Sequence, residues 1–326
     1  MSELIIDLVL LIVFLAILVK SANFAIDSIS KFSKRTGIGE LAAGFIIVAI
    51  STSTPELSVA IFSVHTENVG ITLGDIFGSN VTNIALITAI FLLLSPIKMI
   101  EKKTLRNFMP LLLSASAIPA LLLLVQAGSK FIGISLLAVF GFFIYYIFKS
   151  NPKGDHEQIE RTGSIYKPLI YFFIGIGLVI FSARMIVDSA SAIALSSGIR
   201  EAIIGSTIVA LGTSLPELTV DIAAVRKRHL SLALGDIIGS CITNITLVLG
   251  LVLVLSEIHT NFIVLSTLIG FALLSPTVLL ILLRRGKIKK IQSVILLAIY
   301  ASFLLMSFEL HQIDPMLQLS FVNWFN

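Results

Sequence analysis

Residues Gly37–Val59 read GIGELAAGFIIVAISTSTPELSV, and residues Gly198–Val220 read GIREAIIGSTIVALGTSLPELTV. One is a copy of the other at a constant offset of 161 residues, which matches Glu56 with Glu217. The register continues without a gap into LGDIFGSNVTNI (Leu73–Ile84) and LGDIIGSCITNI (Leu234–Ile245). Each copy carries a glutamate inside an otherwise apolar run. An ionised carboxylate at the centre of a bilayer costs roughly 2.5–3.5 kcal/mol on insertion scales, so one that stays there faces a partner or an ion. Two of them, related by duplication, predict one cation site at the junction of two halves.

Composition sets the class. Hydrophobic residues make up 56% of the 326-residue chain and charged residues 13%, with a mean hydropathy of +1.03. Soluble domains carry about 25% charged residues, so this is an integral membrane protein rather than a globular enzyme. Glu3 and Asp7 stand where a secretory signal would be basic, and the first apolar run is read as a retained span. The net charge of +4 does not indicate nucleic-acid binding, because the basic residues lie in short loops between apolar runs. Cys241 is alone and gives no disulfide framework. The five histidines (His65, His156, His229, His259 and His311) fall in or beside expected loops without metal-ligand spacing, and are expected to be solvated.

Apolar runs predict ten transmembrane helices near 3–27, 38–64, 70–97, 107–127, 130–148, 166–190, 199–225, 231–256, 261–283 and 290–307. Alternate loops are basic, from Lys31, Lys34 and Arg35 through Arg226, Lys227 and Arg228 to Arg284, Arg285, Lys287, Lys289 and Lys290. The positive-inside rule places those loops in the cytoplasm and both termini outside. Five spans per half is odd, so the second copy inserts upside down and the fold is all-α, with two inverted five-helix repeats. The expected organisation is a first repeat over 1–149, a cytoplasmic connector over 150–165, a second repeat over 166–310 and an outer tail over 311–326 carrying Trp324. The connector is too short for a further domain.

The motifs carry the chemistry. Pro55 and Pro216 lack an amide hydrogen and are expected to break the second and seventh spans. Backbone freed at membrane depth is tolerated where it lines a cavity or binds something. Carbonyls of Thr52 and Thr213, hydroxyls of Ser53 and Ser214, and the carboxylates of Glu56 and Glu217 then form an all-oxygen set, which suits hard cations such as Ca²⁺ and Na⁺. A plain kinked helix with salt-bridged glutamates is the rival reading, and no Lys or Arg lies within the interior of either motif-bearing span, the nearest embedded bases being Lys20 and Arg184 at non-equivalent positions. Ser79 and Asn83, like Ser240 and Asn244, are four residues apart and share a helix face that can complete the oxygen cage. Gly74, Gly78, Gly235 and Gly239 are expected to permit close helix approach. Asp75 and Asp236 are either vestibule attractants for cations or solvated or locally hydrogen-bonded helix-start carboxylates. Asp27 with Asp188, and Glu40 with Glu201, are expected to play structural parts near span ends, and Cys241 to serve small-residue packing.

The strings STSTPEL with GSNVTN, and GTSLPEL with GSCITN, resemble the repeats of the cation/Ca²⁺ antiporter superfamily, most closely the prokaryotic Na⁺/Ca²⁺ exchangers. The resemblance implies four ion sites at mid-membrane and alternating access by a slide of the first and sixth helices. It also implies that Glu56 and Glu217 ligate both ions, and that Thr52 and Thr213 offer carbonyls to Ca²⁺. Ala49, Ser53, Ser79, Ala210, Ser214 and Ser240 would flank Na⁺, and Asn83 and Asn244 would complete the centre. Many relatives have aspartate in the place of Asn244, and potassium-dependent ones have it at both asparagines. Two amides leave the centre with −2, matching one Ca²⁺ or two Na⁺. The family's large cytoplasmic regulatory domains are not expected here.

The function this predicts is secondary exchange of Ca²⁺ for Na⁺ in a prokaryotic plasma membrane. Lipid and transported cations are the expected partners; no organic cofactor and no obligate protein partner are indicated. The rivals are a Ca²⁺/H⁺ antiporter, whose Gly-Asn-x-x-Glu string is absent from both motifs, an exchanger of another divalent cation for Na⁺, a passive cation channel and an intramembrane two-carboxylate protease. No GxxxxGK[ST] loop is present to support ATP-driven pumping.

Overall fold

A chain surrounded by hydrocarbon has to satisfy its backbone hydrogen bonds internally, and helices do so within one segment. In the computed structural model, which describes residues 2–65, 69–94, 110, 112–125, 130–150, 163–196, 210–256, 262–284 and 290–313, every regular element is helical. Among the described residues, seven helices are long and apolar enough to cross a membrane. Shorter apolar helices occupy Leu112–Leu123 and Ile291–Ser307. These nine fall at nine of the ten expected positions; the other, 199–225, begins outside the described residues. Most of the connector, Glu201 and the tail with Trp324 also lie outside them.

Helix α1 runs Ser2–Thr36, well past the expected end at 27. Nothing in SISKFSKRT breaks a helix, so the chain continues until Gly37. There φ is 74° and the Gly37 N–H donates to the Ser33 carbonyl at 2.9 Å, the left-handed stop that glycine makes at least cost. The second span is α2 (Glu40–Ala43), a π-helical segment (Gly44–Val48), α3 (Ala49–Thr52) and α4 (Thr54–His65). Helix α5 (Val69–Val81) passes through a π segment (Thr82–Ile87) into α6 (Thr88–Leu94). Then come α7 (Leu121–Val125), α8 (Lys130–Ser150) and α9 (Tyr166–Ser196). Helices α10 (Ala210–Thr213) and α11 (Leu215–Arg226) repeat the interrupted pattern of α3 and α4. Helix α12 (Leu230–Thr243) leads through a π segment (Asn244–Val248) into α13 (Leu249–Leu255), before α14 (Phe262–Arg284) and α15 (Lys290–Ile313).

The chain folds into two compact units, each drawing on both sequence halves. One comprises Met1–Thr52 and Tyr146–Asp236. Its spine is α1 against α9, with Phe14 on Phe181 and Phe24 on Tyr171 at centroid separations of 5.7 and 5.8 Å. Rising numbers on α1 meet falling numbers on α9, so these two helices run antiparallel. Their seam is built from small and apolar side chains, with Ala22, Ala25 and Ala183 buried and Gly175 close against Ala25. Close backbone approach stands in for the hydrophobic drive that lipid does not supply between helices.

The other unit comprises Ser53–Tyr145 and Ile237–Asn326. Its core joins Leu73, Ile76 and Phe77 of α5 to Ile245, Val248 and Leu249, and to Leu265, Ile269 and Phe303 of α14 and α15. Large apolar residues such as Ile12, Phe131, Ile170 and Leu305 point outward, as lipid-facing positions do. The glycine expectation divides here. Gly235 lies tight against the Leu41 carbonyl and Gly44 tight against that of Leu232, so α12 and the second span meet backbone to backbone in the first unit. Gly74 and Gly78 do not serve close approach: nothing stands within 4 Å of a Cβ at Gly74, and Gly78 would make only ordinary contact with the Phe303 ring at 3.6 Å. Gly44, which the duplicated motifs did not single out, takes their place.

Candidate functional site

The helix breaks fall at Ser53 and Ser214, two residues before the prolines. Pro55 and Pro216 then occupy the first turn of α4 and α11, where a missing N–H is no loss. The Leu57 and Leu218 amides donate to the carbonyls of Ser53 and Ser214, each at 3.1 Å, so both copies restart their helix in the same way. Glu56 and Glu217 thereby enter the first turn of a new helix, where the positive end of the helix dipole favours a carboxylate.

In the second unit, Glu56 is 0% exposed and accepts a hydrogen bond from Ser79 Oγ at 3.3 Å. Ser53, Asn83, Ser240 and Asn244 are all buried, and α4 packs against the π segment that Asn244 opens. The side-chain amides of Asn83 and Asn244 and the hydroxyl of Ser53 are enclosed with no hydrogen-bond partner among the described residues. A buried polar group left so costs about 1–3 kcal/mol, and an arrangement that repeats it asks for a ligand. Amide, hydroxyl and carboxylate oxygens are the donor types that suit a hard cation. Both asparagines lie in π segments at equivalent places in the two copies, and Thr88 Oγ1 donates to the Asn83 carbonyl five residues back at 3.0 Å. Such π turns cluster at functional sites, and the sequence reading did not foresee them.

In the first unit, Glu217 is 1% exposed, and Ala49, Thr52, Thr213 and Ser214 are buried. Ala210 opens α10; its side chain lies outside the described residues. Asp236 is fully buried and accepts from Thr52 Oγ1 at 3.2 Å, so it is hydrogen-bonded rather than solvated. Asp75 is partly exposed, so the two copies differ at this place. Asp221, which sequence reasoning missed, is also buried. Its signal was available: an acid one helical turn beyond Glu217 within the same apolar run.

Charged residues at the span ends take structural parts. Asp27 pairs with Lys227 at 2.6 Å, Asp188 with Arg184 at 3.3 Å and Glu40 with His229 at 2.6 Å. His229 is therefore partnered and largely covered, against the expectation of a solvated loop residue. Lys227 also donates to the Asn23 carbonyl at 2.9 Å, which ties the basic loop to α1. Asn80 Nδ2 donates to the Cys241 carbonyl at 3.2 Å, while Cys241 Sγ lies 4.0 Å from the Asn80 carbonyl. Among the described residues no group of three or more His, Cys, Asp and Glu side chains converges, so a cation held here depends on neutral oxygens as well as carboxylates.

The family model described as sodium/calcium exchanger protein matches residues 6–149 and 167–309. The sodium/calcium exchanger MaX1 of Methanosarcina acetivorans is 30% identical, over 93% of this chain and 99% of its own length. The inner membrane protein YrbG of Escherichia coli is 34% identical, over 74% of this chain and 78% of its own. The putative antiporter CaxA of Alkalimonas amylolytica is 30% identical, over 88% and 92%. Among solved structures, the sodium-calcium exchanger NCX_Mj soaked with Na⁺ and Sr²⁺ superimposes with a TM-score of 0.79 at 25% identity, covering 91% of this chain and 97% of that one.

Proposed function

This chain belongs to the sodium/calcium exchanger protein family, and from that premise we propose that it exchanges Ca²⁺ for Na⁺ across the membrane by alternating access, with Glu56 and Glu217 as the shared carboxylate ligands. The relatives are transporters, and the helices are those of an integral membrane protein. The observation that supports the ion site is a buried Glu56 in the same unit as the enclosed polar side chains of Ser53, Asn83 and Asn244. Ser79 Oγ donates to Glu56, and the amides of Asn83 and Asn244 have no hydrogen-bond partner among the described residues. Thr52, Ser53, Thr213, Ser214 and Ser240 supply further oxygens, and Ala49 and Ala210 supply carbonyls.

Exchange follows from charge. Two glutamates and two amides give a centre of −2, which one Ca²⁺ or two Na⁺ neutralise. Without cations, buried charge is uncompensated, and any movement that seals the centre from water costs several kcal/mol. With cations bound, that cost disappears, so the conformational change is confined to loaded protein. The antiparallel pair α1 and α9, joined along a seam of small residues, supports the inverted-repeat reading, with ten helices in two halves and these two as the elements that slide.

Radiolabelled Ca²⁺ uptake into liposomes, under Na⁺, H⁺ and K⁺ gradients imposed separately, tests this. Uptake should follow the Na⁺ gradient, persist when K⁺ is omitted and stop when choline replaces Na⁺. Uptake driven by H⁺ alone would assign a Ca²⁺/H⁺ antiporter instead, and uptake without any counter-ion would assign a channel. Glu56→Gln or Glu217→Gln should each abolish exchange.

A further inference from the structure

Of the five tyrosines, Tyr300 alone is buried, and it stands on α15 within the apolar stretch Ile291–Ser307. Membrane tyrosines belong at the water interfaces, and a buried phenol needs a partner for its hydroxyl. Tyr300 finds that partner in the hydroxyl of Thr82, the first residue of the π segment that carries Asn83. Thr82 Oγ1 gives its own proton to the Gly78 carbonyl at 2.9 Å, so the phenol is the donor to Thr82. Phe303, one turn along α15, lays its ring beside Gly78, 3.6 Å from where a Cβ would stand, and packs edge-on against Phe271 at a centroid separation of 5.5 Å. Helix α15 also packs against the π segment and against α6 beyond it, all within the second unit.

The stretch gripped in this way, from Gly78 to Asn83, carries two residues of the candidate ion site. Ser79 Oγ donates to Glu56 at 3.3 Å. The Asn83 amide is buried and makes no hydrogen bond among the described residues, so its aim is set by the backbone that bears it. Thr88 Oγ1 holds that backbone from one side, donating to the Asn83 carbonyl at 3.0 Å. Tyr300, Thr82 and Gly78 hold it from the other. A π turn is a rare, wide turn, and a hydroxyl bonded back to the preceding turn bends a helix, so support from a neighbouring helix decides where Asn83 sits.

The second copy does not repeat this support. At the same offset Thr82 corresponds to Thr243, Gly78 to Gly239 and Phe303 to Phe142, but Tyr300 corresponds to Val139, which has no hydroxyl. Thr243 Oγ1 is buried with no hydrogen-bond partner among the described residues, and Phe142 is exposed.

We propose that Tyr300 is a positioning residue for ion binding, which acts through Thr82 to fix the turn that presents Ser79 and Asn83. This rests on the reading of Ser79 and Asn83 as part of the ion site. Helix α15, which supplies none of the candidate ligands, then sets the affinity of the centre from one side.

The test is Na⁺-driven uptake of radiolabelled Ca²⁺ into liposomes, resolved into half-saturating concentration and maximal rate. Thermal midpoints in detergent, with and without Ca²⁺, are followed in parallel. Tyr300→Phe and Thr82→Val remove the bond from either end while keeping the shape, so a folding defect at one end leaves the other to decide. Each should raise the half-saturating Ca²⁺ concentration about three- to tenfold, the span of one neutral hydrogen bond, and leave the maximal rate unchanged. The rise in midpoint on adding Ca²⁺ should shrink in both. The double variant should be no worse than either single one, because both act on one bond. Thr243→Val removes a hydroxyl that has no partner and should alter neither quantity. Lower midpoints with an unchanged half-saturating concentration in both single variants would make the bond purely structural and overturn the proposal. Additive losses in the double variant, or an equal shift in Thr243→Val, would overturn the route through Thr82. Asn83→Ala separates this from the underlying reading and should raise the half-saturating concentration more than Tyr300→Phe does. If it does so while Tyr300→Phe and Thr82→Val have no effect, the proposal falls and the ion-site reading stands. If Asn83→Ala has no effect, the ion-site reading falls and takes the proposal with it.

Discussion

Asn80 and Cys241 hold the same place in the two sequence copies, and in the second unit they meet: Asn80 Nδ2 donates to the Cys241 carbonyl at 3.2 Å, and Cys241 Sγ faces the Asn80 carbonyl at 4.0 Å. This contact is one crossing point between the two sequence copies. The cysteine is the weaker half, since a thiol is a poor donor. Asn80→Ala should therefore cost about 1–3 kcal/mol by leaving a buried group short of its partner, whereas Cys241→Ala should cost about 1 kcal/mol or less. Thermal midpoints in detergent decide the order. A larger loss at Cys241 would mean that packing, not the amide, holds the crossing.

The Ser79–Glu56 contact predicts a graded effect on transport. A hydroxyl bonded to a carboxylate is worth about 1.5–3 kcal/mol where the charge is buried, and part of that is recovered when the ion takes over the carboxylate. Ser79→Ala should weaken Ca²⁺ affinity by about tenfold without abolishing uptake, while Glu56→Gln abolishes it. Equal losses in the two variants would mean that Ser79 ligates the ion as strongly as the carboxylate does.

Glycine substitutions separate the contact that the motif pattern foresaw from those it did not. A methyl at Gly44 or Gly235 drives into the carbonyl of Leu232 or Leu41, which is backbone and cannot step aside. Gly44→Ala and Gly235→Ala should each cost about 3 kcal/mol or prevent folding. Gly74→Ala meets nothing within 4 Å and should leave the thermal midpoint unchanged or raise it, since alanine favours a helix by about 0.8–1 kcal/mol over glycine.

The sequence was legible where covalent geometry or charge left one option. Pro55 and Pro216 forced the breaks now seen at Ser53 and Ser214, and the duplicated register placed both glutamates in buried first turns. It was not legible where the answer depended on which helices touch. Gly74 and Gly235 are identical in local sequence, yet only Gly235 has backbone behind it. Asp75 and Asp236 are copies, yet only Asp236 is enclosed beside a second acid, because Asp221 has no counterpart in the first repeat. The π segments at Asn83 and Asn244 leave no mark in hydrophobic period, since a single wide turn shifts register by less than one residue.

The ion pairs at the basic loop give a prediction of small effect. Asp27 is half exposed, and a pair open to water contributes about 0–1 kcal/mol. A double-mutant cycle on Asp27→Asn and Lys227→Met should return a coupling energy below about 1 kcal/mol, shrinking further in high salt. A coupling of several kcal/mol would show that Lys227 anchors α1 through more than this contact, the Asn23 carbonyl included.

Asn244 offers the sharpest check on the charge argument. Its amide is fully buried and has no hydrogen-bond partner among the described residues, at the start of a π segment against which α4 packs. Asn244→Asp keeps the shape and adds a negative charge. If this side chain faces the bound ion, the variant carries −3 at the centre, is destabilised by several kcal/mol when cations are stripped away, and recovers in their presence. Ligand stabilisation grows with affinity as RT ln(1 + [L]/Kd), so the rise in unfolding temperature on adding Ca²⁺ should be clearly larger than in the wild type. The Na⁺ needed to displace Ca²⁺ should increase as well. A Ca²⁺-induced shift equal to that of the wild type would remove Asn244 from the coordination set and leave Glu56 dependent on Ser79 and Asn83 for its neighbours.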